Sequence, residues 1–282
     1  MKATAWEFRH RFWIALAIYT LGFTVPWDAV HPSELSSPGT PVVWPVDGRG
    51  ANAHVWGWLA GRLAQSGAMS FGAAFKVVLV AAIGCAVAGA WLRTWGTAYL
   101  GVDVMSDKQM RSDTVIHPSE QTRREPRLMA AGPYRYMRNP LYVGSWLNTL
   151  ALTLLMRPSG AVFTLVALVG FHVRLILAEE AFLRAKLGEA YVAYCAQVPR
   201  IVPKLTSPKP TSQNRDVGHP VAKPRWDRAA VAEVYMWGSA AGFAVLGWRY
   251  DANLLLQCVL VSLGVALVVK GVVGRGGEKT QG

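Results

Sequence analysis

Charged side chains are scarce in this sequence of 282 residues: Asp, Glu, Lys and Arg make up 16%, against 52% hydrophobic residues and a mean hydropathy of +0.24. That balance excludes an ordinary soluble protein of this size and points to the membrane class. Cysteine is sparse too. Cys85 and Cys258 fall in apolar runs and Cys195 in a polar one, which leaves no disulfide framework and no metal-ligand spacing. No second His or Cys makes a metal set with His172. Internal repeats are absent. Because Pro26-Trp27-Asp28 follows the first apolar run where a small-residue cleavage site would stand, that run is expected to be a retained helix and not a removed signal.

What the chain does have is six apolar runs, near Phe12 to Trp27, Phe71 to Leu92, Leu141 to Met156, Gly160 to Ala178, Ala229 to Gly247 and Leu254 to Val273. They predict an all-α, polytopic membrane bundle of about six transmembrane helices. The third and fourth runs are short and separated only by Arg157-Pro158-Ser159, which predicts a tight hairpin that tilts in or barely crosses the bilayer. Acidic residues are also in deficit, 17 against 29 Lys and Arg, a net charge of +12. With the N-terminus in the cytoplasm, 23 of those bases fall on the inner segments 1–11, 93–140, 179–228 and 270–282 and 4 on the outer loops, while Lys76 and Arg174 lie inside runs. The asymmetry predicts that both termini are cytoplasmic. Anionic lipid headgroups are a sufficient partner for the basic surface, so nucleic-acid binding is not expected. The composition and the basic inner loops fit a bacterial inner membrane.

Four segments follow. Residues 1–70 hold the first transmembrane helix and an outer loop in which Val55 to Ala60, with two tryptophans, is expected at the interface. Residues 71–203 form a membrane core, 204–228 a Pro-rich cytoplasmic linker, and 229–282 a terminal transmembrane helix pair with little polar chemistry. Residues 93–131 read as a polar connector.

The core carries the informative residues. In Gly132-Pro133-Tyr134-Arg135-Tyr136-Met137-Arg138-Asn139-Pro140-Leu141-Tyr142-Val143-Gly144, Asn139 precedes a proline suited to a first helical turn, so a helix is expected to start at Pro140. Its early N–H groups, with Arg135 and Arg138 beside them, would seat an anionic group. Equally, Tyr134, Tyr136 and Tyr142 could be interfacial anchors and the arginines lipid-phosphate contacts. Farther on, Glu179-Glu180 ends an apolar run, where the helix dipole disfavours acids and adjacent carboxylates repel. Arg184, one turn beyond Glu180, is its expected partner. Glu179 shares a face with His172, turns away from Arg174, and is expected to project into a polar cavity as a functional carboxylate. Arg174 either snorkels to the interface or holds an anionic substrate. Tyr191 and Tyr194 lie on one face of an amphipathic helix from about Glu180 to Gln197, which by itself implies interfacial packing.

These two blocks, with Gly188-Glu189-Ala190-Tyr191 and Val198-Pro199-Arg200 downstream of the second, resemble the isoprenylcysteine carboxyl methyltransferase and phospholipid methyltransferase superfamily of integral membrane enzymes, over roughly Leu92 to Pro203. The resemblance implies a cytoplasm-facing pocket, closed by connectors and an amphipathic helix, that takes S-adenosylmethionine from the aqueous side and a lipophilic acceptor from the bilayer. It implies cofactor contacts from Leu128, Met129, Tyr134, Asn139, Tyr142 and Glu179, and a substrate-orienting catalytic arginine, for which Arg174 is the nearest candidate. Asn139 stands where the isoprenylcysteine enzymes typically have His, which keeps hydrogen bonding and removes proton transfer at that position.

Methyl transfer to a lipophilic acceptor needs alignment more than acid–base chemistry. With no convincing base beyond His172, a carboxyl acceptor such as an isoprenylcysteine is preferred over a phospholipid amine. Membrane sterol reductases that use NADPH share a similar turn, and a noncatalytic scaffold keeping the fold is a third possibility.

Overall fold

The computed structural model describes residues 2–25, 54–100, 131–204 and 224–278, the side chains of 270–278 excepted. Every regular element among them is helical. In chain order they are α1 (Ala5–Arg9), α2 (Arg11–Thr24), α3 (Val55–Gln65), α4 (Phe71–Leu100), a 3₁₀ turn at Gly132–Arg135, α5 (Pro140–Thr153), α6 (Pro158–Leu187), α7 (Glu189–Gln197), α8 (Trp226–Ala232), α9 (Val234–Leu246), a second 3₁₀ turn at Gly247–Arg249, and α10 (Ala252–Glu278).

Each of the six apolar runs is helical where it is described, the fifth as the two helices α8 and α9, but they differ in reach. Helices α4, α6 and the stretch Ala252–Val269 of α10 are long and apolar enough to cross a membrane, and α8 with α9, bent by 67°, would make a fourth span. Helices α2 and α5 have 14 residues each, about 21 Å at 1.5 Å per residue, short of a hydrocarbon core of about 30 Å. Among the described residues three helices, or four with the bent pair, thus have the length and apolarity of a span, and the expected count of six is not reached. Three boundaries also move. Helix α6 is not short, since it runs 30 residues through the Glu179-Glu180 pair. Helix α4 continues past Leu92 to Leu100, so Arg93 is helical and not part of a connector. The helix expected from Glu180 to Gln197 is broken at Gly188, whose φ of 54° a side chain would resist.

Helix α4 is the hub. It packs most extensively on α5 and also on α3, α8 and α9, while α9 packs on α10 and α2 on α6. Between helices in lipid the apolar driving force is weak, so close backbone approach and polar ties matter more. A Cβ on Gly89 of α4 would stand 2.7 Å from the carbonyl oxygen of Gly144 in α5, and one on Gly144 2.8 Å from that of Gly89, so glycine on both sides is what lets these backbones meet. Gly22 of α2 and Gly160 of α6 meet in the same way.

Polar ties cross the sequence divisions. The Tyr19 hydroxyl of α2 is bonded at 2.6 Å to Thr149 of α5, and the Ser239 hydroxyl of α9 donates at 2.8 Å to Asn148. The described parts of the segments assigned by charge to one side of the membrane gather at one end. There the Ala3 N–H donates to the Arg174 carbonyl (3.1 Å), Arg138 to Pro199 (2.9 Å) and Arg225 to Ala98 (2.9 Å). At the opposite end the Val55 and Trp56 N–H groups donate to Met156 (2.8 Å) and Leu154 (3.1 Å), and the buried Trp56 ring stacks on Phe75 at 4.6 Å. The expected interfacial segment 55–60 thus begins α3 and is anchored on α4 by Trp56. Residues 26–53 of the outer loop and 205–223 of the Pro-rich linker lie outside the described residues.

Candidate active site

The site begins where α5 does. Asn139 has a non-helical backbone (φ −124°, ψ 53°) and Pro140 opens the helix, as the sequence predicts, because proline brings a fixed φ and no N–H to leave unsatisfied. Just upstream, Gly132 enters the 3₁₀ turn at φ 57° with the Tyr99 ring against its Cα, which forces glycine there. The turn aims Tyr134 inward, where it is buried.

Asn139 does not cap α5. Its amide donates to Glu180 Oε1 (3.3 Å) and to the Arg200 carbonyl (3.1 Å). Glu180, buried on α6, accepts further from Arg200 through Nε (3.0 Å) and Nη2 (2.8 Å), and Arg138 Nη1 lies 3.2 Å away. The expected partner Arg184 is therefore replaced by Arg200 and Arg138. The reason is steric: Glu180 points inward and Arg184 is on the exposed surface of the helix. Glu180 thus clips both sequence blocks together, and the bidentate guanidinium keeps a buried carboxylate compensated. Around this clip, Arg138 Nη1 also donates to Cys195 Sγ (2.9 Å), and the Tyr194 hydroxyl donates to the Tyr134 carbonyl (2.6 Å). Tyr191 is buried. Tyr194 of α7 therefore braces the 3₁₀ turn, and the Tyr191 ring packs beside the Tyr194 ring at 5.9 Å.

Glu179, one residue earlier, accepts from the Tyr142 hydroxyl at 2.9 Å. Tyr142 meets the His172 ring edge-on at 5.1 Å, and Trp146 Nε1 donates to His172 Nδ1 at 3.0 Å. As neutral imidazole with Nδ1 accepting, His172 carries its proton on Nε2, so neither ring nitrogen is a free base. The shared face of His172 and Glu179 expected from helical spacing is thus realised, with Tyr142 of α5 touching both. The Tyr134 hydroxyl is buried and has no hydrogen-bond partner among the described residues. Burial first, then the negative charge of Glu179, pushes its pKa well above the ordinary phenol value, while Arg93 opposes the shift. An unmade hydrogen bond of this kind costs about 1–3 kcal/mol, and a ligand atom would recover it.

A second buried cluster flanks the first. Arg93 of α4 forms a bidentate pair with Glu233, at the bend between α8 and α9, through Nε (2.7 Å) and Nη2 (3.0 Å), and Thr97 donates to the same carboxylate (2.9 Å). The Arg93 Nη1 group donates to Ser145 Oγ (2.8 Å) and to the Leu141 carbonyl (3.4 Å) in the first turns of α5. Neither Arg93 nor Glu233 stood out in sequence. The available signal was one charge of each sign beside or within apolar runs, where an ionisable residue is functional by default.

Of the residues expected at the site, Tyr134, Asn139, Tyr142 and Glu179 gather at this end of the bundle. Leu128 and Met129 lie outside the described residues. Arg174 is elsewhere on α6, and its guanidinium pairs with Glu7 of α1 through Nε (3.1 Å) and Nη2 (2.9 Å). An apolar cleft of about 240 Å³ lies nearby, between Leu92 and Trp95 of α4 and Pro133, Tyr136 and Met137; a larger one of about 410 Å³ opens beside Cys195, Pro199 and Lys204. Neither is lined by Glu179 or Tyr142.

No curated protein and no solved structure matches the chain. Residues 77–190, from α4 to the start of α7, match the model of the family described as phospholipid methyltransferase. That segment holds the Gly132 to Gly144 block and the Glu179-Glu180 pair, while Tyr191 and Val198-Pro199-Arg200 lie beyond it. Residues 77–190 thus carry the pattern of the phospholipid methyltransferase family, which belongs to the isoprenylcysteine carboxyl and phospholipid methyltransferase superfamily of integral membrane methyltransferases.

Proposed function

We propose that the protein transfers a methyl group from S-adenosylmethionine to a lipophilic acceptor, preferably the carboxylate of an isoprenylcysteine-like molecule, at the cytoplasmic face of a membrane. The observation that carries this reading is the Tyr142–Glu179 hydrogen bond (2.9 Å) beside the buried hydroxyl of Tyr134, which has no hydrogen-bond partner among the described residues. The donor set suits the cofactor. The Glu179 carboxylate would take an ammonium or a ribose hydroxyl, Tyr134 would complete its hydrogen bond on a polar atom, and the ring faces of Tyr142 and Trp146 suit a sulfonium. Asn139, engaged with Glu180, would act by holding the turn, and Leu128 and Met129 would line the pocket from the connector.

When bound, S-adenosylmethionine supplies an electrophilic methyl group, whose bond to sulfur breaks as a bond to the acceptor forms, leaving a neutral thioether. The protein's part is to hold the two partners in line and exclude water, which is where most of the acceleration of such a reaction lies. Because neither nitrogen of His172 is a free base, an acceptor already ionised at neutral pH is favoured over an ammonium that must first lose a proton. An acceptor carboxylate oriented by Arg174 would take the place of Glu7. The family description supports a second acceptor class, a phospholipid amine. The basic end of the bundle faces the cytoplasm under the charge asymmetry of the loops.

Purified protein in mixed lipid vesicles, given methyl-labelled cofactor with either farnesylcysteine or phosphatidylethanolamine, separates the two. Label released by mild base marks a methyl ester and supports the carboxyl acceptor. Base-stable label in the lipid marks N-methylation, and no label in either overturns the assignment of these acceptors.

A further inference from the structure

The terminal helices hold a carboxylate that is not surface chemistry. Glu233 is 1% exposed, lies where the α8–α9 pair bends by 67°, and is outside the family-matched residues 77–190. Its partner Arg93 is inside that segment, and Arg93 does not end at the ion pair. Nη1 extends to Ser145 Oγ (2.8 Å), and Ser145 in turn donates to the Leu141 carbonyl (3.0 Å). The side chain of Arg93 also fills the space over Gly144, where a Cβ would come within 2.7 Å of its Cγ. The guanidinium therefore lies along the first turns of α5, between Leu141 and Ser145. Tyr142, on those same turns, donates to Glu179. The Tyr134 hydroxyl lies 3.5 Å from where a Cβ on Gly96 would stand, less than one turn along α4 from Arg93 and next to Thr97, the other donor to Glu233.

We propose that Glu233 is a positioning residue for the active site: it fixes the Arg93 guanidinium against the first turns of α5, and so sets Tyr142 before Glu179. The terminal helix pair then completes the site instead of merely adding membrane area. Removing the carboxylate leaves a buried guanidinium without its main counter-charge, and the group redirects toward the nearest carboxylate or drags α5 with it. The proposal rests on the assignment of Glu179 and Tyr142 to cofactor binding, but its structural half can be measured without any cofactor.

The test uses the full chain in detergent, with Glu233→Gln, Glu233→Asp and Arg93→Lys, and with Trp237→Phe and Ser239→Ala as controls. The controls remove two other polar ties of α9, to Thr94 (3.0 Å) and Asn148 (2.8 Å), without touching Arg93. Amide hydrogen exchange in ligand-free protein reads the first turns of α5, and calorimetry reads S-adenosylhomocysteine affinity. Glu233→Gln and Arg93→Lys should speed exchange over residues 140–146 and weaken binding by about tenfold, the scale of a lost hydrogen bond to a charged group. Glu233→Asp should restore part of both, and the controls should leave residues 140–146 unchanged. Equal effects in the controls, or faster exchange confined to α9, would overturn the proposal. A wild-type protein that binds no S-adenosylhomocysteine but shows the exchange pattern would overturn the cofactor assignment and leave the role of Glu233 in holding α5 intact.

Discussion

Glu180 accepts from Asn139 and Arg200 and pairs with Arg138, while Glu179 accepts from Tyr142. Adjacent residues on a helix point about 100° apart, so a neighbouring pair of acids can serve two separate purposes. Glu180→Ala strands two guanidinium groups. Because Arg200 is partly solvated, the loss should be about 2 kcal/mol, less than for a fully buried pair, read by thermal unfolding in detergent. Arg184→Ala, at an exposed position, should change stability by under about 0.5 kcal/mol. Tyr134→Phe separates binding from folding. It deletes a buried hydroxyl with no partner among the described residues, so stability should hold or rise, while affinity for S-adenosylhomocysteine should fall about fivefold for one lost hydrogen bond of about 1 kcal/mol. A loss of stability with unchanged affinity would assign that hydroxyl to the fold.

Among the elements, the α4–α5 crossing and the α1–α6 contact make the sharpest demands. Gly89→Ala would press a methyl group to 2.7 Å from the Gly144 carbonyl, with backbone on the far side and nothing flexible to yield. The helices should separate at a cost of about 1–3 kcal/mol, visible as a lower unfolding temperature. Helix α1 is held differently. The Arg174 guanidinium, then the Thr4 backbone N–H, lowers the Glu7 carboxyl from 4.5 to about 2. A depressed pKa means that the contact contributes fully above pH about 4.5 and is lost as pH falls through about 2. An NMR titration of Glu7 should therefore show its midpoint near 2, returning toward 4.5 in Arg174→Ala. These elements also show what a sequence discloses. The apolar runs and the proline at 140 locate helices because they act locally. The partners of Glu180 and Arg93 come from residues 20 and 140 positions away, and only packing brings them together. The same holds for helix length in the membrane: α6 continues past its apolar run because Glu180 is neutralised from outside the helix, which hydropathy does not register.

In the whole molecule, the family-matched segment is enclosed by helices from both flanks. Glu7 reaches Arg174, Tyr19 reaches Thr149 and Glu233 reaches Arg93. The residues that could meet a cofactor were legible in the sequence because their order and spacing repeat a family pattern. The supports from α1, α2 and α9 were not, since they fall outside that pattern. What unites the molecule is one end of a helical bundle at which a carboxylate, a buried phenol and aromatic rings come together. The direct test is calorimetric titration of S-adenosylhomocysteine into the detergent-purified full chain, wild type beside Glu179→Gln, a change that keeps the side chain's size and its capacity to accept from Tyr142. Saturable binding by the wild type and a loss of at least about tenfold in the variant, with the unfolding temperature preserved, is the predicted result. No binding by the wild type, or equal affinity in the two proteins, would contradict the assignment of Glu179 to the cofactor.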